Sequence, residues 1–214
     1  MANSRYLLAT LLLAAPALCF AEFPDGKYLG WSAGQSTAKF NTNNNSFGIA
    51  TLSGNYDGTQ PAARFFGGHN FNKNLALEGG YAGFGTSQIH YNGTGPLTGT
   101  QGTANLKNSA WFLAGKGTLV ITNAFGLFAK LGVSGNNSDF SMTTNNAALN
   151  TASGFPVNKN KVRLQPLVGF GGEYSLTEKM RLRAEFEDFG SFNTDIDAGH
   201  MKLNVWSIGV TYSF

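Results

Sequence analysis

Residues 203–214 read LNVWSIGVTYSF, and their pattern is the strongest indication of the fold. From Trp206 onward the large apolar residues fall at every second position, and Ser, Gly and Thr fill the positions between them. A period of two residues is typical of a β-strand with one apolar face and one face of small or polar side chains. Trp and Tyr on the apolar face favour a strand in a membrane, because such rings lie at the lipid–water boundary. The alternating set is Trp206, Ile208, Val210, Tyr212 and Phe214.

This ending resembles the terminal strand of bacterial outer-membrane β-barrels. In that family a terminal aromatic residue, with apolar residues at alternate positions before it, is the signal that the barrel-assembly machinery reads. The resemblance implies that the five alternating residues form an assembly signal. It also implies that the assembly machinery and periplasmic chaperones are partners of the chain during biogenesis.

The composition favours a β-protein with lipid around its middle and water at its ends. Charged residues are 13% of the chain, about half of the quarter that is usual in soluble proteins, and 28 of the 214 residues are Gly. The net charge of +3 is small, and the chain contains no run of like charges. The sequence therefore predicts no nucleic-acid partner.

The first 21 residues have the pattern of a cleaved signal peptide. A cation precedes an apolar stretch at residues 6–18, and a small-x-small cleavage site ends at Ala21. This predicts a leader of residues 1–21 and one barrel domain of residues 22–214. The single Cys of the chain, Cys19, lies in the leader, so the mature chain would contain no disulfide. Lipid attachment at Cys19 is an alternative that the preceding residues fit badly.

Beyond residue 26, strand-like runs are joined by connections that are alternately long and short. Each run reaches roughly nine residues or more, which is what a tilted strand needs to cross a bilayer. We therefore predict an all-β fold, an eight-stranded antiparallel up-and-down transmembrane β-barrel, with the long loops at one end and the short turns at the other. No internal repeat beyond the hairpin is evident. The predicted strands are residues 27–40, 61–71, 75–86, 104–119, 124–134, 161–174, 179–189 and 202–214.

Charged residues in these strands share one face. On the seventh strand Arg and Glu alternate with apolar residues, and an Arg that faced lipid near the midplane would cost roughly 2–4 kcal/mol. The charges are therefore predicted to line the lumen, and a three-residue turn would put Glu173 opposite Arg181. The facing of the first, second and fourth strands stays open. The predicted lumen charges are Glu78, Lys130, Arg163, Glu173, Arg181, Arg183, Glu185 and Glu187.

A soluble lipocalin-like barrel would also alternate, with its charged face outward and its apolar face around a ligand. Three features decide against this alternative. The aromatic ending would have no role in such a protein, the long loops lie at one end only, and the predicted inner face is rich in Gly. These features favour the membrane barrel.

Three pieces of the chain extend the resemblance beyond its last strand. They are NLALEGGY at 74–81, FAKLGV at 128–133 and GVTYSF at 209–214. With them the chain resembles the OmpA transmembrane-domain and OmpX class of small outer-membrane barrels. The resemblance implies a barrel surrounded by outer-membrane lipid in a Gram-negative bacterium, with periplasmic termini and extracellular long loops. Members of this class differ mainly in their loops, so the resemblance specifies the fold better than the function.

The first functional hypothesis is a structural or surface-interaction role for the long loops. Aromatic residues interrupt these otherwise polar loops, and large side chains carry contact energy with a host or cell-surface ligand. They could equally pack the loops together or touch lipid headgroups. The candidate contacts are Phe47, Tyr56, Tyr91, Phe140 and Phe155.

The second hypothesis is a narrow channel that the inner charges gate. In the OmpA family, inner Arg, Lys and Glu side chains exchange partners in this way. The alternative is a static network that fills the lumen and fixes the strand register, since buried charges need partners. An eight-stranded barrel has an interior just wide enough for side chains, which favours the static network.

A third hypothesis, an enzyme that acts on lipid, has little support. The three His residues are not spaced to meet a Ser and an acid on one strand. The run Asp195-x-Asp197-x-Gly199 lacks the Glu that would close a calcium loop. We therefore predict no catalytic residue, no metal site and no cofactor.

Overall fold

A computed structural model of the chain describes residues 25–40, 45–47, 50–52, 57–92, 99, 101–146, 157–193 and 200–214. The predicted leader, residues 1–21, lies outside them. The described part contains no helix that is long and apolar enough to cross a membrane. Its strands are β1 (Gly26–Phe40), β2 (Asn45–Phe47), β3 (Ala50–Leu52), β4 (Asp57–Asn70), β5 (Leu75–Asn92), β6 (Gln101–Val120), β7 (Phe125–Thr144), β8 (Val157–Ser175), β9 (Met180–Asn193) and β10 (His200–Ser213).

Eight of these strands close into one antiparallel barrel, which confirms the predicted fold. The order around the barrel is β1, β4, β5, β6, β7, β8, β9 and β10, and β10 pairs with β1. β2 and β3 form a separate hairpin between β1 and β4. The connections 71–74, 121–124 and 176–179 lie at one end of the barrel, which we call the short-turn end. The opposite end is the long-loop end.

The register of the ladders fixes the width of the barrel. Gly26 of β1 pairs with Asn70 of β4, and following the paired residues from strand to strand around the barrel leads back to β1 at Ser36. The register thus shifts by ten residues in one circuit. With eight strands, this shear corresponds to a strand tilt of roughly 40°. A barrel of this size leaves room in its lumen for side chains only.

Four neighbouring strands exceed their predicted lengths by the most. β5, β6, β7 and β8 have 18, 20, 20 and 19 residues, whereas the other four barrel strands have 14 or 15. Tyr91 and Phe140, which were predicted in loops, therefore lie in β5 and β7. Their surroundings are polar and look like loop, but a ladder satisfies the backbone N–H and C=O groups whatever the side chains are.

Side chains alternate between the lipid face and the lumen. On β7, Leu131 is 70% exposed, whereas its neighbour Lys130 is 2% exposed. The outward facing predicted for the terminal stretch is confirmed, because all five of its alternating apolar residues are exposed. Aromatic and aliphatic side chains on the other strands continue the same outward band, among them Trp31, Phe65, Tyr81, Trp111, Leu127, Val133, Phe170 and Leu182.

The wall of the barrel is divided by two seams toward the long-loop end. The pairs of β4 with β5 end at Ala63↔Gly83, although both strands continue. The pairs of β8 with β9 end in the same way at Val168↔Asp188. Beyond these seams, the described residues of β5 to β8 form ladder pairs only among themselves. We call this four-stranded extension the projecting sheet.

A β-bulge lies beside each seam. Phe84 and Gly85 of β5 together oppose one residue of β6, and Phe189 and Gly190 of β9 together oppose one residue of β10. Gly85 has a φ of 71° and Gly190 a φ of 78°. Only Gly adopts such angles at little cost, so the Gly of each pair permits the bulge.

The two seams occupy equivalent places in the chain. Gln60-Pro61 beside the first seam precedes Phe84-Gly85 by 24 residues, and Gln165-Pro166 precedes Phe189-Gly190 by the same 24. This pattern therefore recurs with an offset of 105 residues, as a repeat between the β4–β5 hairpin and the β8–β9 hairpin. Because all hairpins share the same alternation, only the Gln-Pro and Phe-Gly pairs at this spacing distinguish these two hairpins from the others. Each seam has a Pro beside it, and Pro has no N–H to donate to a ladder.

Candidate functional site

Charged side chains fill the middle of the lumen. Because alternation turns every second residue inward, five cations and four carboxylates from β4 to β9 meet there. Each is at most 5% exposed. We call this group the ion cluster, and its members are Arg64, Glu78, Lys116, Lys130, Glu173, Arg181, Arg183, Glu185 and Glu187.

Glu78 lies at the centre of the ion cluster and is fully buried. Its Oε2 is 2.6 Å from Nη1 of Arg183, and its Oε1 is 3.1 Å from Nζ of Lys130. The hydroxyl of Tyr28 donates a further hydrogen bond of 2.9 Å to Oε2. A buried carboxylate requires such compensation, because desolvation costs several kcal/mol per ion.

Lys130 contacts more carboxylates than any other cation of the ion cluster. Its Nζ lies 3.1 Å from Glu78 and 2.8 Å from Glu185, and it also contacts Glu187. Arg64, on the opposite wall, forms ion pairs with Glu185 and Glu187. Each carboxylate therefore has at least two cationic partners, so the cluster is a network rather than a set of isolated pairs.

The short-turn side of the cluster centres on Glu173. Its carboxylate is 2.5 Å from Nζ of Lys116 and 3.2 Å from Nη1 of Arg181. The predicted register is wrong, because Glu173 pairs across the ladder with Arg183 and Ser175 pairs with Arg181. The connection at 176–179 has four residues instead of three, but the Glu173–Arg181 ion pair forms along a diagonal.

Aromatic rings support the cations from inside the lumen. The guanidinium of Arg183 lies 4.4 Å from the ring centroid of Phe128 and 4.9 Å from that of Phe66. The guanidinium of Arg64 lies 4.6 Å from the ring centroid of Phe66 as well. A desolvated cation above an aromatic face gains about 2 kcal/mol, which helps to offset its burial.

Seven of the eight predicted lumen charges belong to the ion cluster, and Arg163 does not. Its position is on the inner face of β8, but its side chain is exposed because it lies beyond the seam, in the projecting sheet. Three residues of the site were not predicted: Tyr28, Arg64 and Lys116. They lie on the three strands whose facing the sequence left open, where aromatic rings such as Trp111 and Phe112 occupy both faces and hide the alternation.

An apolar layer covers the ion cluster on the side of the long-loop end. On β9 the inner residues after the short turn are Arg181, Arg183, Glu185, Glu187 and then Phe189. The ring centroid of Phe189 is 4.9 Å from that of Phe84 and 6.3 Å from that of Phe112, in edge-to-face contacts. We call this layer the apolar cap, and its buried members are Phe84, Leu106, Phe112, Leu167, Phe189, Leu203 and Val205.

Polar side chains hold the cap at the two bulges. The hydroxyl of Ser36 donates a 3.1 Å hydrogen bond to the carbonyl of Phe84, and the amide of Asn136 donates a 2.8 Å hydrogen bond to the carbonyl of Phe189. These side chains replace the ladder partners that the seams remove, as buried carbonyls require. The backbone at each of these two Phe residues is thus held by one side-chain hydrogen bond.

Little free space separates the ion cluster from the apolar cap. The cavity between them is lined by Ser32, Arg64, Phe84, Phe189 and Ser207 among others, and it has room for about one water molecule. In the described part of the chain, the lumen is therefore filled at two successive levels, by ion pairs and then by apolar side chains.

The sequence Gly30-Trp31-Ser32-Ala33-Gly34 matches the G-x-S-x-G pattern of hydrolases. That motif acts when its Ser lies on a sharp turn between a strand and a helix. Ser32 instead lies within β1, buried, between its ladder partners Arg64 and Gly209. The motif is therefore part of the barrel wall and does not form a nucleophile elbow.

The remaining predicted residues lie toward the long-loop end. Tyr56 and Phe155 lie outside the described residues, as do Asp195 and Asp197. The backbones of Phe47, Tyr91 and Phe140 lie in β2, β5 and β7. Among the residues that the structure describes, no three His, Cys, Asp or Glu side chains are grouped to hold a metal ion.

Comparisons with known proteins agree with this geometry. A family model described as the OmpA-like transmembrane domain matches residues 23–214. The outer membrane protein OprG of Pseudomonas aeruginosa shares the fold with a TM-score of 0.59 and 18% identity, over 92% of this chain and 99% of that one. No curated protein matches the sequence significantly.

Two further solved barrels share the fold. AlkL, solved in DMPC lipid bilayers, has a TM-score of 0.54 and 12% identity, over 94% of this chain and 95% of that one. Ail of Yersinia pestis, solved in complex with the heparin analogue sucrose octasulfate, has a TM-score of 0.50 and 14% identity, over 89% of this chain and all of that one. At these identities the likeness is one of fold alone.

Proposed function

The chain belongs to the OmpA-like transmembrane domain family and is a β-barrel of the Gram-negative outer membrane, and on this premise we propose that it is a closed, rigid support for loops that bind partners outside the cell. The observation that carries this proposal is the filled lumen. A barrel whose interior is occupied by an ion cluster and an apolar cap offers no space for a diffusing solute.

The projecting sheet supports the same proposal. Outward side chains are apolar as far as Trp111 on β6 and Val133 on β7. Beyond them the outward positions of β6 and β7 become polar, and Lys107 and Asp139 face each other across the ladder as exposed residues, whereas β8 keeps the exposed apolar residues Val162 and Leu164. β6 and β7 therefore leave the lipid and continue into water, where they carry the long loops on a rigid base.

The experiment exchanges the connection at 145–156, between β7 and β8, for a Gly-Ser linker of equal length. We expect binding to host cells or matrix to be lost, whereas the barrel keeps its shift in gel mobility between unboiled and boiled samples. The matched control exchanges the short connection 121–124 at the other end, which should leave binding unchanged. Binding that survives exchange of each long connection would contradict the proposal.

A place in the outer membrane also requires export and assembly of the chain. We propose that residues 1–21 are removed on export and that the outward residues of β10 are the signal for the barrel-assembly machinery. The exposed positions of Trp206, Tyr212 and Phe214 suit this role, because a receptor can read them before lipid covers them. We assign no catalytic step to the chain.

A second candidate function is a narrow channel that the ion cluster gates. Lys130, with three carboxylates in reach, favours it because a shared cation has alternative pairings of similar geometry. Single-channel recording in planar bilayers tests it. Arg183→Ala should change the conductance, whereas a folded barrel that is silent before and after this change would exclude the channel.

A further inference from the structure

Phe84 and Phe189 lie at the two points of the barrel wall where the fewest ladder pairs hold the backbone. Each lies one residue beyond the last pair of a seam, so one side of its strand has no ladder partner there. The other side is a bulge, followed by Gly85 or Gly190 in a left-handed conformation. In place of a ladder, each segment is held there by one side-chain hydrogen bond, from Ser36 or from Asn136, so it is freer to shift than a fully paired segment of the wall.

The two rings also close the lumen from opposite sides. β5 and β9 are four strands apart in an eight-stranded barrel and hence face each other. Phe84 and Phe189 meet edge to face at 4.9 Å, and both are at most 2% exposed. Separating them would open the apolar cap directly above Glu187 and Arg64 of the ion cluster.

The opposite side of the ion cluster has no comparable apolar layer. Toward the short-turn end, the buried inner residues include Asn70, Ser175, Thr211 and Ser213, and Arg181 donates to the hydroxyl of Ser213. The aromatic rings at this end, those of Tyr28 and Phe128, lie among these polar groups and beside the cations Lys116 and Arg181, and they form no separate layer. Among the described residues, the apolar cap is therefore the barrier that keeps the lumen dry.

We propose that Phe84 and Phe189 are the two halves of a gate, and that their separation opens a path for small inorganic anions. This inference rests on the second candidate function and names its gate and its ion. The anion preference follows from the charges along the path. The ion cluster contains five cations and four carboxylates, so its net charge is +1. A wetted cluster of positive charge concentrates anions.

The test is the double variant Phe84→Ala, Phe189→Ala of the refolded chain in planar bilayers. We expect its open probability to exceed that of the wild type by more than about tenfold, since removal of buried Phe side chains strongly destabilises an apolar layer. In a KCl gradient, the reversal potential should indicate chloride selectivity. Folding is checked by the gel-mobility shift.

Two controls distinguish the gate from general loosening of the barrel. The double variant Phe170→Ala, Phe186→Ala removes an equivalent pair of rings, 5.4 Å apart, from the lipid face and should conduct like the wild type. The conservative variant Phe84→Leu, Phe189→Leu keeps the apolar layer and should stay closed. If the Ala double variant does not fold, Phe84→Ala alone removes one half of the gate and should give brief openings.

The outcomes separate the gate from the channel. If the wild type opens and the Phe84 and Phe189 variants have the same open probability, the gate is overturned and the channel is retained. Folded wild type and folded Ala variants that are all silent would overturn both. A cation-selective current in the Ala variant would overturn the proposed ion.

Discussion

Glu78 and Arg183 form an ion pair of 2.6 Å at the centre of the barrel, and they are separated by 105 residues. The same offset relates Phe84 to Phe189 in the apolar cap. The β4–β5 hairpin and the β8–β9 hairpin lie on opposite walls of the barrel. At one pair of equivalent positions they carry opposite charges, Glu78 and Arg183. At the other pair they carry identical rings, Phe84 and Phe189. The ion cluster and the cap are therefore two levels of one arrangement.

The first prediction concerns the Glu78–Arg183 pair. Glu78→Ala leaves Lys130 and Arg183 short of a carboxylate in a dry lumen and should lower the free energy of unfolding by about 3–5 kcal/mol. The double variant with Arg183→Ala should cost about 1–3 kcal/mol less than the sum of the single variants, because it removes both charges. Urea unfolding in lipid vesicles, followed by Trp fluorescence, measures both values.

Arg163→Ala is the control for this cycle. Its side chain is exposed and lies apart from the ion cluster, so the change in stability should stay within about 0.5 kcal/mol. Additive effects of the Glu78 and Arg183 substitutions would show that the two residues are not coupled.

The second prediction concerns the bulges. Gly85→Ala and Gly190→Ala should each destabilise the barrel by about 1–2 kcal/mol, because both residues have positive φ angles. A Cβ at either position would also lie 3.1 Å from the Cβ of a Gln on the facing strand. Gly117→Ala is the matched control, since a Cβ there meets nothing within 4 Å. Equal stabilities of all three variants would contradict the role of the bulges.

The third prediction concerns the lipid face. Leu131→Arg places a cation in the apolar band next to the buried Lys130 and should cost roughly 2–4 kcal/mol. Thr143→Arg, at an exposed position of the projecting sheet, should cost about 0–1 kcal/mol. Unfolding from vesicles measures the difference, and similar costs at the two positions would place the boundary of the membrane elsewhere.

The fourth prediction concerns assembly. Tyr212 and Phe214 contact each other edge to face at 5.5 Å on the outer surface, and the N–H of Phe214 donates to the carbonyl of Lys27. Replacing both rings by Ser should reduce the amount of folded barrel in cells severalfold, whereas refolding of the purified chain into detergent should proceed. Normal assembly in cells would show that the machinery reads another feature.

The sequence predicted the barrel, its alternating connections and most of the ion cluster. It could do so because turning an Arg or Glu side chain toward lipid has a high free-energy cost. It did not predict Arg64 and Lys116, whose strands carry aromatic rings on both faces. Their inward facing depends on the register, which closes only around the whole barrel. Lys116 meets Glu173 across 57 residues of sequence, a contact that no local pattern contains.

The apolar cap also escaped prediction, for a different reason. Phe84 and Phe189 follow the inward parity of their strands, but large inner rings look the same as outer ones in an alternating pattern. The repeated Gln-Pro and Phe-Gly pairs were the available signal. These pairs mark the seams. A seam is a break in the pairing between two strands, so the sequence of one strand does not reveal it.

The most direct test of the filled lumen is labelling with a membrane-impermeant thiol reagent added to intact cells. Residues 22–214 contain no Cys, so single variants report one position each. Arg163→Cys, beyond the cap, should react rapidly, whereas Ser207→Cys, buried beside Glu185, should remain unlabelled until the barrel is unfolded. Reaction of Ser207→Cys at the rate of Arg163→Cys would contradict a lumen closed by the ion cluster and the apolar cap.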